Sequence, residues 1–149
     1  MAIGSSLDGQ EAILRDRLRS LADLPLLSDG EELVAAATIA DGRAAENELA
    51  ALGGRAAIDL IEAGELMERV RRGEEARALL IGSTRRLVVS LARRHPNSAE
   101  VTLALLDAGD EAVGRAADRY DPTGGLPFSS FARWWVERAM REVDRHPSQ

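Results

Sequence analysis

The stretch from Pro127 to Arg145 constrains the fold most, because it holds both tryptophans and both phenylalanines of a chain that is only 3% aromatic. Ser129 or Ser130 follows a proline and precedes an apolar-periodic run, which predicts a helix N-cap. At about 100° per residue, this helix carries apolar side chains on one face, which is expected to pack in the core. These side chains are Ala132, Val136, Ala139, Met140 and Val143.

A second stripe on the same helix combines aromatic rings with arginines, and folding does not require it, since one apolar face is enough for packing. Aromatic rings stack on unpaired bases, and guanidinium groups bind phosphates or guanine edges. The stripe is therefore a candidate surface for partly single-stranded nucleic acid. Alternatively, its rings pack under a neighbouring loop and its arginines are solvated. It consists of Phe131, Trp134, Arg138, Arg141 and Arg145, with Trp135 on the border between the two faces.

The composition favours an all-α fold, since alanine, leucine, arginine and glutamate dominate and β-branched residues are few. The 149 residues are expected to form one domain with a sizeable core. The absence of cysteine excludes disulfides and thiolate metal sites, and only His95 and His146 could offer an imidazole. We therefore expect no metal and no cofactor. The sequence shows neither a paired nucleophile and base nor a phosphate-binding loop, so we do not expect an enzyme.

The net charge of −6 argues against a general nucleic-acid binder, because such affinity comes mostly from phosphate neutralisation. Any contact with DNA has to come from a local patch or with the help of a partner. No apolar run approaches the length of a membrane span, and no signal peptide is visible. The expectation is a cytoplasmic protein without a membrane partner.

An amphipathic stretch over residues 7–24 predicts a first helix, which Pro25 ends. Its arginines, Arg15, Arg17 and Arg19, are expected to point towards solvent.

A capping box of Ser28 and Glu31 predicts the start of the next helix. Gly73 is interpreted as a joint between two later helices, and Ser98 as the cap of the helix after them. The predicted ranges are 28–52 before the break at Gly53-Gly54, 56–72 and 74–94 on either side of the joint, and 98 to about 120.

The end of the chain also resembles the signature of bacterial primary-type sigma factors of the sigma-70 family. There, an Asp-Pro and a glycine turn lead into Phe-Ser-Thr-Tyr-Ala-x-Trp-Trp-Ile-Arg-x-Ala, within the second conserved region. The matching segment here is Asp121-Pro122-Thr123-Gly124-Gly125-Leu126-Pro127-Phe128-Ser129-Ser130-Phe131-Ala132-Arg133-Trp134-Trp135-Val136. The resemblance extends over roughly residues 26–145 and is strong from Glu75 onward, for example over Leu87–Leu91.

The resemblance implies a compact all-α helical bundle like the second-region domain of a sigma factor, with extra N-terminal helices. We expect a single domain over residues 1–149, with the N-terminal helices in 1–72 and the second-region-like core in 73–149. The implied function is transcription initiation, with core RNA polymerase and partly single-stranded promoter DNA as partners. The implied DNA-binding residues, at the minus-ten element, are Phe131, Trp134, Trp135, Arg138, Arg141 and Arg145.

The helix over residues 98–120 matches the surface that, in the family, binds the clamp coiled coil of the largest polymerase subunit. Its contact positions are changed: Ala104 and Ala108 stand for an aspartate and a glutamate, and Asp107 and Asp110 for a glutamine and an asparagine. Polymerase binding is therefore expected to be weakened or redirected. The alternative is a degenerate interaction module that regulates transcription by binding a regulatory protein without reading DNA. The implied polymerase-binding residues are Leu103, Ala104, Asp107, Ala108, Asp110 and Gly114.

The positions that read DNA in the family are also altered. Phe131 stands for a tyrosine, Glu137 for an arginine, and Arg138 for a glutamine that reads the upstream edge of the element. Arg141 stands where a threonine assists that glutamine. Because arginine prefers guanine in the major groove, the resemblance implies a shifted preference at the upstream base pair.

The resemblance ends with the second region. The 149 residues contain no match to the family's regions for the extended minus-ten and minus-thirty-five elements. Met1 and the polar end from Arg145 to Gln149 favour a native chain over an excised domain, and both interpretations stay open.

Overall fold

A computed structural model describes residues 2–55, 57–94 and 96–145, with side chains from Asp8 onward. Over these ranges the chain is all-α and contains no strand, which confirms the predicted fold class. The positions of Ala56, His95 and His146 lie outside the described residues. The helices are α1 (Ala2–Leu21), α2 (Asp29–Leu52), α3 (Leu60–Ala92), α4 (Ala99–Arg119) and α5 (Phe128–Arg145).

Two helix starts follow the capping signals in the sequence. The Oγ atom of Ser28 accepts a hydrogen bond from the backbone N–H of Glu31 at 3.1 Å, and the Glu31 carboxylate accepts one from the Ser28 N–H at 3.2 Å. Ser98 accepts a hydrogen bond from the N–H of Val101 at 3.2 Å. Each contact satisfies a donor that the first turn of a helix leaves unpaired, so both predicted caps are confirmed.

The predicted joint at Gly73 is wrong, because α3 continues through it. A β-carbon added at Gly42 would lie 2.9 Å from the Cα atom of Gly73 and 3.2 Å from the carbonyl oxygen of Arg69. The two glycines therefore permit direct contact between the backbones of α2 and α3. Gly73 serves this close approach and not a break in the helix.

The predicted cap at Ser129 or Ser130 is also wrong, because α5 begins at Phe128 and both serines lie in its first turn. Pro127 precedes the helix directly, and its fixed φ angle is compatible with a helix start.

The described residues group into two compact units, and α3 contributes to both. The second unit comprises Leu27–Leu80 and Asp121–Phe128. Arg69 of α3 pairs with Asp41 at 2.7 Å and with Glu48 at 3.6 Å, both on α2. The apolar core of this unit contains Ala45, Leu52 and Leu66, with Leu49, Ala63 and Val70 packed against them.

The second unit also contains the turn before α5. The Asp121 carboxylate accepts hydrogen bonds from the backbone N–H of Thr123 at 2.9 Å and from its hydroxyl at 2.6 Å. These bonds lower the pKa of Asp121, because they favour the charged carboxylate. Gly125 has a φ of 79°, a conformation that side chains with a β-carbon rarely adopt.

Within the described residues, the first unit comprises residues 2–26, 81–94, 96–120 and 129–145. Within it, α1 packs against α4. A β-carbon added at Gly109 of α4 would lie 2.5 Å from Cγ1 of Val88 and 3.1 Å from Cε of Met140, so this glycine lets α3 and α5 approach α4 closely. The buried side chains of this unit include Leu21, Val88, Leu105, Leu106, Val113, Ala116, Ala132, Val136 and Met140.

In the part of the chain that the structure describes, no helix has both the length and the apolar character that crossing a bilayer would require.

Candidate functional site

The burial of α5 divides the helix into the two faces that its sequence predicts. Ala132, Val136 and Met140 are buried on one side. Trp134 is 53% exposed, although large aromatic side chains usually contribute most to a core. The side chains of Ala139 and Val143 are intermediate between buried and exposed. The exposed tryptophan therefore belongs to a surface that core packing does not explain.

The aromatic rings of this surface form a continuous series across the end of α4 and the first half of α5. The ring centroids of Tyr120 and Phe131 are 5.6 Å apart, and those of Phe131 and Trp135 are 6.3 Å apart. Trp135 meets Trp134 edge to face, with the centroids 5.6 Å apart and an interplanar angle of 88°. These separations are typical of favourable aromatic pairs, so each ring restricts the next.

Two arginines flank the tryptophans. The guanidinium carbon of Arg138 lies 5.4 Å from the centroid of the Trp134 ring, and that of Arg119 lies 5.5 Å from the centroid of Trp135. Both distances fall within the range of a cation–π contact. Arg119 and Tyr120 are not among the residues that the sequence predicts for this surface. The signal that could have found them is their position directly before Asp121, where the segment that resembles the sigma-factor signature begins.

The remaining charges of α5 separate into paired and unpaired groups. Glu137 accepts a hydrogen bond from Arg133 at 2.9 Å and lies 4.0 Å from Arg94. Arg141 and Arg145 are exposed, and no carboxylate within the described residues pairs with either. We call the surface of Phe131, Trp134, Trp135, Arg138, Arg141 and Arg145 the aromatic face. Its outer arginines are available for an anionic ligand.

The positions expected to bind polymerase all lie on α4. Leu103, Ala104, Ala108 and Gly114 are partly exposed, and a β-carbon added at Gly114 would meet open space. Asp107 is exposed and Asp110 is partly buried. We call Asp107 and Asp110 the acidic pair.

Arg17 of α1 binds both members of the acidic pair, so the prediction that it points into solvent is wrong. Its Nη1 atom donates to Asp107 at 2.5 Å and its Nη2 atom to Asp110 at 2.7 Å. Burial of the guanidinium would lower the pKa of Arg17, but the hydrogen bonds and charges of the two carboxylates outweigh burial and raise it. Local sequence could not show this contact, because the partners are 90 and 93 residues away.

No set of three or more acidic, histidine or cysteine side chains in the described ranges is arranged to hold a metal ion.

The comparison with protein families matches residues 80–145 to sigma-70 region 2. This range contains the end of α3, all of α4 and the whole aromatic face.

Relatives extend the similarity towards the N-terminus. The chain is 35% identical over 127 residues to the RNA polymerase principal sigma factor HrdD of Streptomyces griseus. The matched residues make up 83% of this chain and 37% of the relative. It is 32% identical over 134 residues to the principal sigma factor HrdC of Streptomyces coelicolor, covering 89% of this chain and 40% of the relative. With the sigma factor SigA4 of Synechococcus elongatus it shares 33% identity over 78 residues, 52% of this chain and 25% of the relative.

The chain thus spans about two fifths of the length of the two principal sigma factors. The family match over residues 80–145 contains both the acidic pair and the aromatic face. From these matches we conclude that the chain belongs to the sigma-70 family through its second conserved region.

Proposed function

We propose that this chain is a sigma-factor-like protein of transcription initiation, which binds core RNA polymerase and engages a partly single-stranded minus-ten promoter element. The observation that carries this proposal is the exposure of Trp134, 53%, within a series of mutually supporting rings. A tryptophan buried under the preceding loop would instead have favoured a purely structural role.

The aromatic face offers both contacts that a melted strand requires. Stacking of a base on an exposed aromatic ring contributes about 1–3 kcal/mol per base. Arg141 and Arg145, without carboxylate partners in the described chain, lie on the same helix and are the proposed phosphate contacts. Trp135, which is itself in contact with Phe131, restricts the Trp134 ring and so reduces the entropy lost when a base stacks on Trp134.

The electrostatics of the whole chain favour DNA binding as part of a complex. The net charge of −6 repels a polyanion, and the arginines of α5 compensate this repulsion only locally. Polymerase bound to α4 would supply the remaining affinity by holding promoter DNA near α5. The clamp coiled coil of the largest subunit is the proposed partner of Leu103, Ala104, Asp107, Ala108, Asp110 and Gly114.

The test combines retention of core RNA polymerase by the immobilised full chain with crosslinking to a fork-junction promoter fragment. Wild type is expected to retain polymerase and, in that complex, to crosslink to the unpaired strand. Trp134→Ala should retain polymerase equally but lose most of the crosslink, while Trp134→Phe should keep part of it because a stacking ring remains. Equal crosslinking by wild type and Trp134→Ala would contradict the assignment of the aromatic face.

A second candidate function is a regulatory module that binds a protein partner without reading DNA. The observation that favours it is the state of α4, where Ala104 and Ala108 lack polar groups and Arg17 binds the acidic pair. Failure to retain polymerase, together with capture of a defined protein regulator by α4, would favour this alternative.

A further inference from the structure

The acidic pair on α4 is already bound by a residue of the same chain. One guanidinium group, that of Arg17, contacts carboxylates of two residues that are one helical turn apart. Arginine suits this geometry because its N–H groups form a rigid fork that can bind two acceptors at once. The Arg17 side chain retains 26% of its exposure, so the contact is at the edge of the α1–α4 interface and not in the core.

From Asp8 onward, where the side chains of α1 are described, most of its apolar side chains are not fully buried. Among its described apolar side chains, Leu21 is buried, Leu14 and Leu18 are partly exposed, and Ile13 is 59% exposed. Only Leu21 is fully buried among these side chains, so the ion pair of Arg17 contributes to holding α1 on α4 alongside apolar packing. A helix held in this way can be released without unfolding the residues beneath it.

We propose that α1 is an intramolecular competitor for the polymerase-binding surface of α4. This inference rests on the proposed function, since the acidic pair belongs to the positions assigned to polymerase. Because α1 packs against α4 and Arg17 binds both carboxylates, a polymerase surface that approaches the acidic pair has to displace α1. Polymerase then binds only the molecules in which α1 is released, so its apparent affinity falls in proportion to that fraction.

The chemistry of the acidic pair also defines what displaces α1. Two carboxylates on one helical turn accept a guanidinium group or an ammonium group, so the competing surface of polymerase is expected to present an arginine or a lysine there. Docking of α1 through these charges weakens as salt is added, because the Asp107 side chain is 72% exposed and therefore screened.

The test uses the full chain with Arg17→Glu, which places a negative charge against the acidic pair. Arg15→Glu is the matched control, because Arg15 is an exposed residue of the same helix and the net charge changes equally. Hydrogen exchange of the α1 amides reports docking, and titration with core RNA polymerase reports affinity. For Arg17→Glu we expect α1 exchange to accelerate and polymerase affinity to rise, each by about tenfold. Arg15→Glu should resemble wild type in both measurements.

The outcomes separate this inference from the function on which it rests. Accelerated α1 exchange with unchanged or weaker polymerase binding would overturn the competitor role and leave the proposed function standing. Unchanged α1 exchange in Arg17→Glu would overturn the role of Arg17 in docking. If wild type and both variants fail to bind polymerase while α1 exchange accelerates in Arg17→Glu, the proposed function is refuted and the competitor role with it.

Discussion

The rings of Trp134 and Trp135 lie nearly perpendicular to each other, with an interplanar angle of 88°. The two residues are adjacent in sequence but differ in environment, since Trp134 is 53% exposed and Trp135 is partly buried between Phe131 and Arg119. The inner ring therefore orients the outer one. Stability and ligand binding should be separable between the two positions.

Trp135→Ala should lower the free energy of unfolding by about 2 kcal/mol, because it removes a partly buried ring with several neighbours. Trp134→Ala should change it by less than about 1 kcal/mol, as expected for a substitution at a largely exposed position. Urea denaturation followed by circular dichroism measures both. A larger loss for Trp134→Ala than for Trp135→Ala would show that the outer ring is a packing residue.

Arg138→Gln should change base preference at the upstream edge of the minus-ten element. If Arg138 reads that base pair, the wild type favours guanine there, and a well-placed arginine–guanine contact contributes about 1–3 kcal/mol of discrimination. Competition between fork-junction probes that differ only at this pair, in the polymerase complex, measures the preference.

Arg145→Gln is the control for that comparison, because the loss of a phosphate contact should weaken binding to all probes alike. Equal loss across all probes in Arg138→Gln would instead mean that its guanidinium, 5.4 Å from the Trp134 centroid, only supports the ring.

Gly109→Ala should destabilise the protein by about 1–3 kcal/mol, because the new methyl group would overlap Cγ1 of Val88 and force the helices apart. Gly114→Ala lies on the same helix and meets open space, so it should stabilise the helix by about 0.5–1 kcal/mol. Thermal and urea denaturation of the pair test the close packing around Gly109. Similar stabilities for the two variants would be inconsistent with it.

The carboxyl group of Glu68 should titrate far below its ordinary range. Hydrogen bonding to Arg71 lowers the pKa of Glu68 from 4.5 to about 2, with Arg72 contributing further attraction. The stabilisation from a lowered carboxylate pKa is fully present above pH 4.5 and is lost as the pH falls towards 2. NMR titration should show the pKa of Glu68 rising in Arg71→Ala, and rising less in Arg72→Ala. An unchanged pKa in Arg71→Ala would exclude this pairing in solution.

The sequence predicted the features that depend on local chemistry. The capping residues Ser28 and Ser98 and the two faces of α5 follow from side-chain type and helical spacing, and the structure has them. One local prediction is wrong, the cap at Ser129 or Ser130, since α5 begins at Phe128. The other errors concern tertiary contacts. Gly73 has the appearance of a break, but its neighbour is Gly42 on another helix.

The contacts of Arg17 and Arg119 show the same limit within the candidate site. An arginine on an amphipathic helix is usually solvated, and only the folded chain brings Arg17 to the acidic pair and Arg119 to Trp135. The roles of the aromatic face and of α4 towards DNA and polymerase stay predictions.

The contact between Gly42 and Gly73 has a consequence for how this chain can vary. Each position excludes a side chain because the other backbone occupies the space, with 2.9 Å from a β-carbon at Gly42 to the Cα atom of Gly73. A larger residue at either one would separate the helices and remove the reason for glycine at the other. The two positions should therefore be epistatic, and related chains should keep both glycines or lose both together.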